Sequence, residues 1–353
     1  MAVNTVLGKV EKAQLGIISP HEHVFSDLSW AFVPPDDPIG NKIAFEPVCM
    51  KNLGVLRRNC SISRDNLIID DFETACSELK EFRYAGGGTL VDATVNGIGR
   101  SPKMLRRAAV ESGVNIVMGC GYYCAGRHPV DMDKRTVEEL AEELLKELTN
   151  GVGDTGIKAG VIGEIGTSGQ CIHPNEAKVL KAGAIAQKKT GAGVHVHMSD
   201  QSAGGNRFPF GLDVLDLFEE NGADISKVCI NHMGVKMGVD IEYCTGILKR
   251  GALLAFDTFG HEFYKDSMVP VPFETDIGRV RAIKQLCVMG FEKQILISCD
   301  ICIKSHLHTY GGWGYDHIIT NMIPVFRDEG FDEYTIKLFT VENPARFLDM
   351  NHI

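Results

Sequence analysis

Four histidines and two carboxylates carry the chemistry that this sequence can do. His21 and His23 stand as H-E-H, and residues two apart on an extended segment project to one side, which makes an imidazole clamp for a cation. Glu164, His197, His232 and Asp300 each lie in or just after a short apolar run: KAGVIGEIG, GVHVH, KVCIN and ILISCD. Imidazole and carboxylate together suit zinc, and Mn2+, Co2+ or Fe2+ accept the same donors. Six donors exceed the four of a closed structural zinc site, so the count fits two divalent metal ions sharing a bridge. Glu164 has two oxygens to share, and hydroxide would be the other bridge. A single histidine after an apolar run is more often a hydrogen-bonded core or surface residue. The joint placement of the six is what points to metal, and His173, His195, His261, His306, His308 and His317 read as packing residues or substrate contacts.

Something has to bring these donors together. Eight near-continuous apolar runs recur, at 15–19, 88–94, 114–119, 158–166, 193–197, 227–231, 252–258 and 295–300, and such runs suit strands buried on both faces of a parallel sheet. Helical signals alternate with them. Thr136 and Glu139 form a capping box ahead of a stripe of Val137, Leu140, Leu144, Leu145 and Leu148, closed by Gly151. Residues 175–189, 213–220, 241–249 and 278–289 read as further helices. The order predicts a (β/α)8 TIM barrel, α/β in class, as one domain over 1–353, with long loops at the C-terminal face. An insertion at 26–70 follows the first strand, and long loops at 259–276 and 301–315 follow the seventh and eighth. The donors then fall at strand ends, on the rim where barrels build their active sites.

Composition narrows the partners. Lys and Arg number 36 against 46 Asp and Glu, a formal net charge of −10, which argues against nucleic acid. No apolar run approaches the ~18 residues needed to span a bilayer, and the start lacks the order of a signal peptide, so the chain is expected in the cytoplasm, acting on a small molecule. Eleven scattered cysteines, Cys120/Cys124 and Cys299/Cys302 among them, are expected to pack as thiols. A homodimer is the commonest assembly for such a chain.

The segments HEHVFSDL, KAGVIGEIGTSG, VHVHMSD, KVCINHMG, LLAFDTFG, ILISCDI and VENPARFL resemble, in order and over nearly the whole chain, the phosphotriesterase-like branch of the amidohydrolase superfamily. The resemblance implies that His21, His23 and Asp300 hold the more buried metal and His197 and His232 the more exposed one. Glu164 would bridge where many relatives use a carboxylated lysine, and Lys158, six residues upstream, is on the wrong side to replace it. Relatives often carry an acid shortly after the strand-six histidine, whereas Gly234 and Lys236 stand here. Asp257 is followed by Thr258 rather than His, which argues against triester cleavage. The segment SCDICIKSHLHTYGGWGYDHI resembles the lactonase-type members.

The expected reaction follows from charge. Two divalent ions lower the pKa of a shared water, and its hydroxide would attack the carbonyl of a lactone, sugar-derived and in one version phosphorylated, while Asp300 relays the proton. Tyr123 could pack on the ring, and Lys236, Lys304 and Arg100, following strands six, eight and two, could pair with an anion. The alternatives are a carboxylesterase or phosphoester hydrolase on the same metals, and a metal-binding or small-molecule-binding protein without turnover.

Overall fold

The computed structural model describes residues 2–168, 171–198, 210–262 and 273–350. Each of the eight apolar runs supplies one strand: β1 (Ile17–Glu22), β2 (Gly87–Asp92), β3 (Asn115–Cys120), β4 (Val161–Thr167), β5 (Gly193–Met198), β6 (Val228–Ile230), β7 (Leu253–Phe256) and β8 (Ile295–Ile297). They pair in parallel, in chain order, as one eight-stranded sheet. Just beyond β8 the ends join, where Asp300 N donates to His21 O at 3.3 Å and His23 N to Ile301 O at 3.1 Å. The result is a (β/α)8 barrel.

Period-two alternation sorts the side chains. Ile18, Val91, Val117, Val161, Cys229, Leu253 and Leu296 form one buried cluster, one from each of seven strands, and fill the inside of the barrel. Their neighbours Leu90, Ile116, Ile162, Ile230, Leu254 and Ile295 belong to a second cluster shared with the surrounding helices. On β5 the inward position is His195, whose ring packs 4.6 Å from that of Phe347.

Helices cover the outside at the expected places, as Val137–Thr149, Pro174–Thr190, Phe210–Glu220, Ile241–Lys249 and Asp276–Val288. The Thr136 box forms, with Glu139 N donating to Thr136 Oγ1 at 3.1 Å and Thr136 N to Glu139 Oε2 at 2.9 Å. Two more helices, Phe72–Tyr84 and Pro102–Ser112, follow β1 and β2, the first capped by Asp71 and the second closed by Gly113 at φ 71°. An antiparallel hairpin, Ala2–Thr5 with Gly8–Glu11, was not anticipated, because its strands are too short to show an alternation. It sends Val3 into the inner cluster, and Asn4 Nδ2 donates to Leu148 O and Ala159 O.

The 26–70 insertion leaves the barrel through paired strands Ser26–Asp27 and Ile68–Ile69 and returns over its mouth. Of the 259–276 loop, residues 263–272 lie outside the described residues. None of the eleven cysteines is in a disulfide. No described helix is long and apolar enough to cross a membrane.

Candidate metal centre

Five strands deliver the six donors to one place. Glu164, in β4, is at the middle: its Oε2 lies 3.1 Å from His197 Nδ1, 3.4 Å from His232 Nε2 and 3.6 Å from His21 Nε2, and its Oε1 lies 3.4 Å from His23 Nε2. Asp300 Oδ1 faces His23 Nε2 at 3.1 Å and His21 Nε2 at 3.4 Å, and Oδ2 faces His232 Nδ1 at 3.8 Å. His232 Nε2 is 2.7 Å from His197 Nδ1. Two donor groupings are compact enough to hold a metal ion, His21 with His23 and Asp300, and His21 with Glu164 and His232.

The chain turns sharply to aim two of these side chains. His232 and Asp300 are the only described residues other than glycine with positive φ, at 63° and 50°. That conformation costs an L-residue about 1–2 kcal/mol and persists where the surroundings over-determine it. At His232 the determinant is Asp257, at the end of β7, which accepts the His232 amide on both oxygens at 3.0 and 3.1 Å and faces His232 Nδ1 at 3.1 Å. Thr94 Oγ1 holds His23 Nδ1 at 2.9 Å. The carboxamide of Asn231 bridges His21 Nδ1 and His195 Nδ1, each at 3.0 Å. Metal-binding histidines are commonly oriented in this way through their second nitrogen. Thr94 and Asn231 were not singled out from sequence, and Asp257 was noted only for the residue that follows it, although all three flank a strand end.

Electrostatics favour a cation. Burial alone would raise Glu164, but the facing imidazoles of His197 and His21 prevail and hold it well below the usual carboxylate range. Asp300 is likewise low, burial being outweighed by His21 and His23. Burial opposes protonation of His23, yet Asp300 and Glu164 push it up to about 10. His21 Nε2 is buried, aims at both carboxylates and makes no well-formed hydrogen bond. A buried imidazole nitrogen left in that state beside two anions fits a metal ligand.

A cavity of about 450 Å³ opens above this cluster, with His197, His232 and Asp300 at its floor. The insertion after β1 contributes Trp30 and Leu67 to its wall, and Phe273 and Ile303 come from the loops after β7 and β8. Tyr123 lines it too, with its hydroxyl 3.1 Å from His197 Nε2. His261 and His306 also face the cavity, while His173 caps a helix and His308 and His317 pair with Asp316 and Asp276.

None of the three cations expected at the mouth lines the cavity. Arg100 is buried against Glu147, with its two terminal nitrogens 2.5 and 2.9 Å from the carboxylate. Lys304 binds Asp65 at 2.6 Å, tying the insertion to the loop after β8. Lys236 pairs its backbone with Phe273 and, unlike its neighbour Val235, does not line the cavity. Local order placed these residues after strands, but the side chains of Arg100 and Lys304 pair with acids distant in sequence. Arg100→Ala should therefore act on stability, lowering it by about 3–5 kcal/mol in thermal or denaturant unfolding because Glu147 is stranded, with KM unchanged. The cation that does line the cavity among the described residues is Arg127, in the segment after β3, exposed and 5.3 Å over the ring of Trp30. It lies four residues beyond Tyr123, and its place after a strand was the only sequence signal for it.

Comparison with known proteins places this arrangement. The model of the phosphotriesterase family matches residues 1–348. N-acetyltaurine hydrolase of Homo sapiens is 36% identical over 348 residues, covering 98% of this chain and 97% of that protein. A resiniferatoxin-binding protein from Rhodobacter sphaeroides superposes with a TM-score of 0.92 at 34% identity, covering 99% of this chain and 95% of that one. A lactonase from Listeria monocytogenes superposes with a TM-score of 0.77 at 26% identity over the whole of both chains. The chain belongs to the phosphotriesterase family and is a hydrolase of ester or amide bonds.

Proposed function

We propose that this hydrolase uses two divalent metal ions to cleave a small N-acylated amine that carries an anionic end. The observation behind the reading is the meeting of six donors from five strands around Glu164, at the floor of a cavity with Arg127 in its wall. His21, His23 and Asp300 would hold one ion and His197 and His232 the other, with Glu164 between them, and the donor set suits zinc. Bound there, such ions supply a water of lowered pKa and a Lewis acid for the carbonyl.

The chain's own residues do the rest. Asp300, anionic and facing the cavity, is placed to take a proton from the attacking water and return it to the leaving nitrogen. Burial raises the Tyr123 phenol well above its usual value, so it remains a donor beside His197, where the carbonyl oxygen gathers charge. Trp30, Leu67 and Phe273 keep bulk water from the reacting atoms. Arg127 would pair with a sulfonate or carboxylate on the substrate.

An amide is preferred over the lactone of the sequence reading because of the N-acetyltaurine hydrolases. The lactone remains the second reading, supported by the Listeria lactonase. Its phosphorylated version loses the support of Arg100, Lys236 and Lys304, none of which lines the cavity.

A panel of N-acyl amino sulfonates, N-acyl amino acids, lactones, esters and an aryl phosphotriester tests the assignment. The anionic amides should give the highest kcat/KM, and a lactone exceeding all of them would overturn the reading. Arg127→Ala should raise KM for the anionic amides about 10- to 100-fold, the loss of one charge-assisted hydrogen bond, while a neutral ester is unaffected. Equal effects on both substrates would remove Arg127 from recognition.

A further inference from the structure

We infer that Glu22, the middle residue of the H-E-H sequence, is the positioning residue of the cation site formed by His21, His23 and Asp300. The inference rests on the reading that these three hold a metal ion, and it is independent of the substrate. Glu22 closes β1 and is fully buried. Alternation along the strand turns its side chain away from the side on which His21 and His23 project, toward the segment after β8. There Oε1 accepts the amide of Cys299 at 2.9 Å and Oε2 accepts the amide of Ile301 at 2.8 Å. Ser19 Oγ donates to Oε1 at 2.7 Å and anchors the carboxylate from its own strand.

Asp300 lies between those two amides. Its own N–H donates to His21 O, and Ile301 O accepts from His23 N. Three consecutive amides, of residues 299, 300 and 301, are thus all held by the end of β1, two of them by one carboxylate. This is also where the barrel closes, and where Asp300 takes a φ of 50°. A non-glycine residue is held in that region where the surrounding structure fixes the backbone. Glu22 does this, and by the same bonds it sets the distance between the histidine pair and Asp300.

The chemistry demands a glutamate. A carboxylate has an acceptor oxygen for each amide, whereas glutamine would turn its NH2 against one of the two N–H groups. Aspartate is one carbon too short to span from β1 to both. Glu22 touches neither substrate nor metal on this reading and acts only through Asp300 and the two histidines.

The test is metal retention. Zinc-loaded wild type and Glu22→Gln are titrated with a chelator, and bound zinc per folded chain is measured. Wild type should hold about two ions, and Glu22→Gln should release one of them at roughly 10- to 100-fold lower chelator strength, keeping the other. Glu78→Gln is the control for a merely structural role. Glu78 is equally buried and accepts the amides of His308 and Thr309 at 2.9 and 2.8 Å, far along the same loop from the six donors. It should lower the thermal midpoint and retain both ions. If Glu22→Gln does not fold, Ser19→Ala decides, with a smaller loss of the same ion expected. Retention of both ions at wild-type strength by Glu22→Gln, or by Ser19→Ala where that variant decides, overturns the inference. Wild type that binds no ion would instead overturn the metal reading beneath it.

Discussion

Asp300→Asn, assayed in excess zinc, should reduce kcat about 10²- to 10⁴-fold, the range that a positioned acid or base contributes, with circular dichroism close to wild type. The substitution is mild structurally. Asparagine tolerates positive φ better than other L-residues, so the turn at φ 50° survives, and the flanking amides remain bonded to Glu22. What disappears is the negative charge that His21 and His23 keep on the carboxylate, and with it the capacity to take up a proton. Rates on the best substrate of the panel, divided by zinc-loaded chain, give the result directly. A rate within about tenfold of wild type would assign the proton transfer to another group.

Glu164→Ala should abolish activity and metal retention together. One carboxylate faces all four imidazoles at 3.1–3.6 Å, so its removal withdraws the shared negative charge from both proposed ion positions at once. Chelator treatment of wild type followed by zinc should restore the rate, while the same addition to Glu164→Ala should not. Loss of at least about 100-fold in affinity is expected, since this group would be a direct ligand and oriented partners alone contribute 10- to 100-fold. Wild-type zinc content and rate in the variant would mean that Glu164 does not bridge. Glu164→Gln, of the same shape without the charge, should fall between the two.

The clustering of the six proposed donors was legible in the chain because their signal is local. A histidine or acid at the end of an apolar run is at a strand end, and in a parallel barrel strand ends share a rim. The eight strands were legible for the same reason, each being a run buried on both faces. The N-terminal hairpin escaped because four-residue strands are too short to display a period. The helices Phe72–Tyr84 and Pro102–Ser112 were not singled out, although the Asp71 cap and Gly113 mark their ends.

Side-chain direction in loops was another matter. Arg100, Lys236 and Lys304 follow strands as Arg127 does, and spacing does not distinguish them. Arg100 found Glu147, 47 residues away in sequence, and Lys304 found Asp65, 239 away. Such pairings are set by distances across the folded barrel, which no local pattern encodes. The same holds for Glu22, whose partners at Cys299 and Ile301 lie more than 270 positions along the chain. The order of residues therefore determined the barrel, the donor types and the rim they occupy, because these depend on periodicity and strand position. The tertiary structure decided which cation lines the cavity and which acid orients which histidine, because those contacts join residues far apart in the chain, and closure of β1 against β8 decided what holds Asp300 in place.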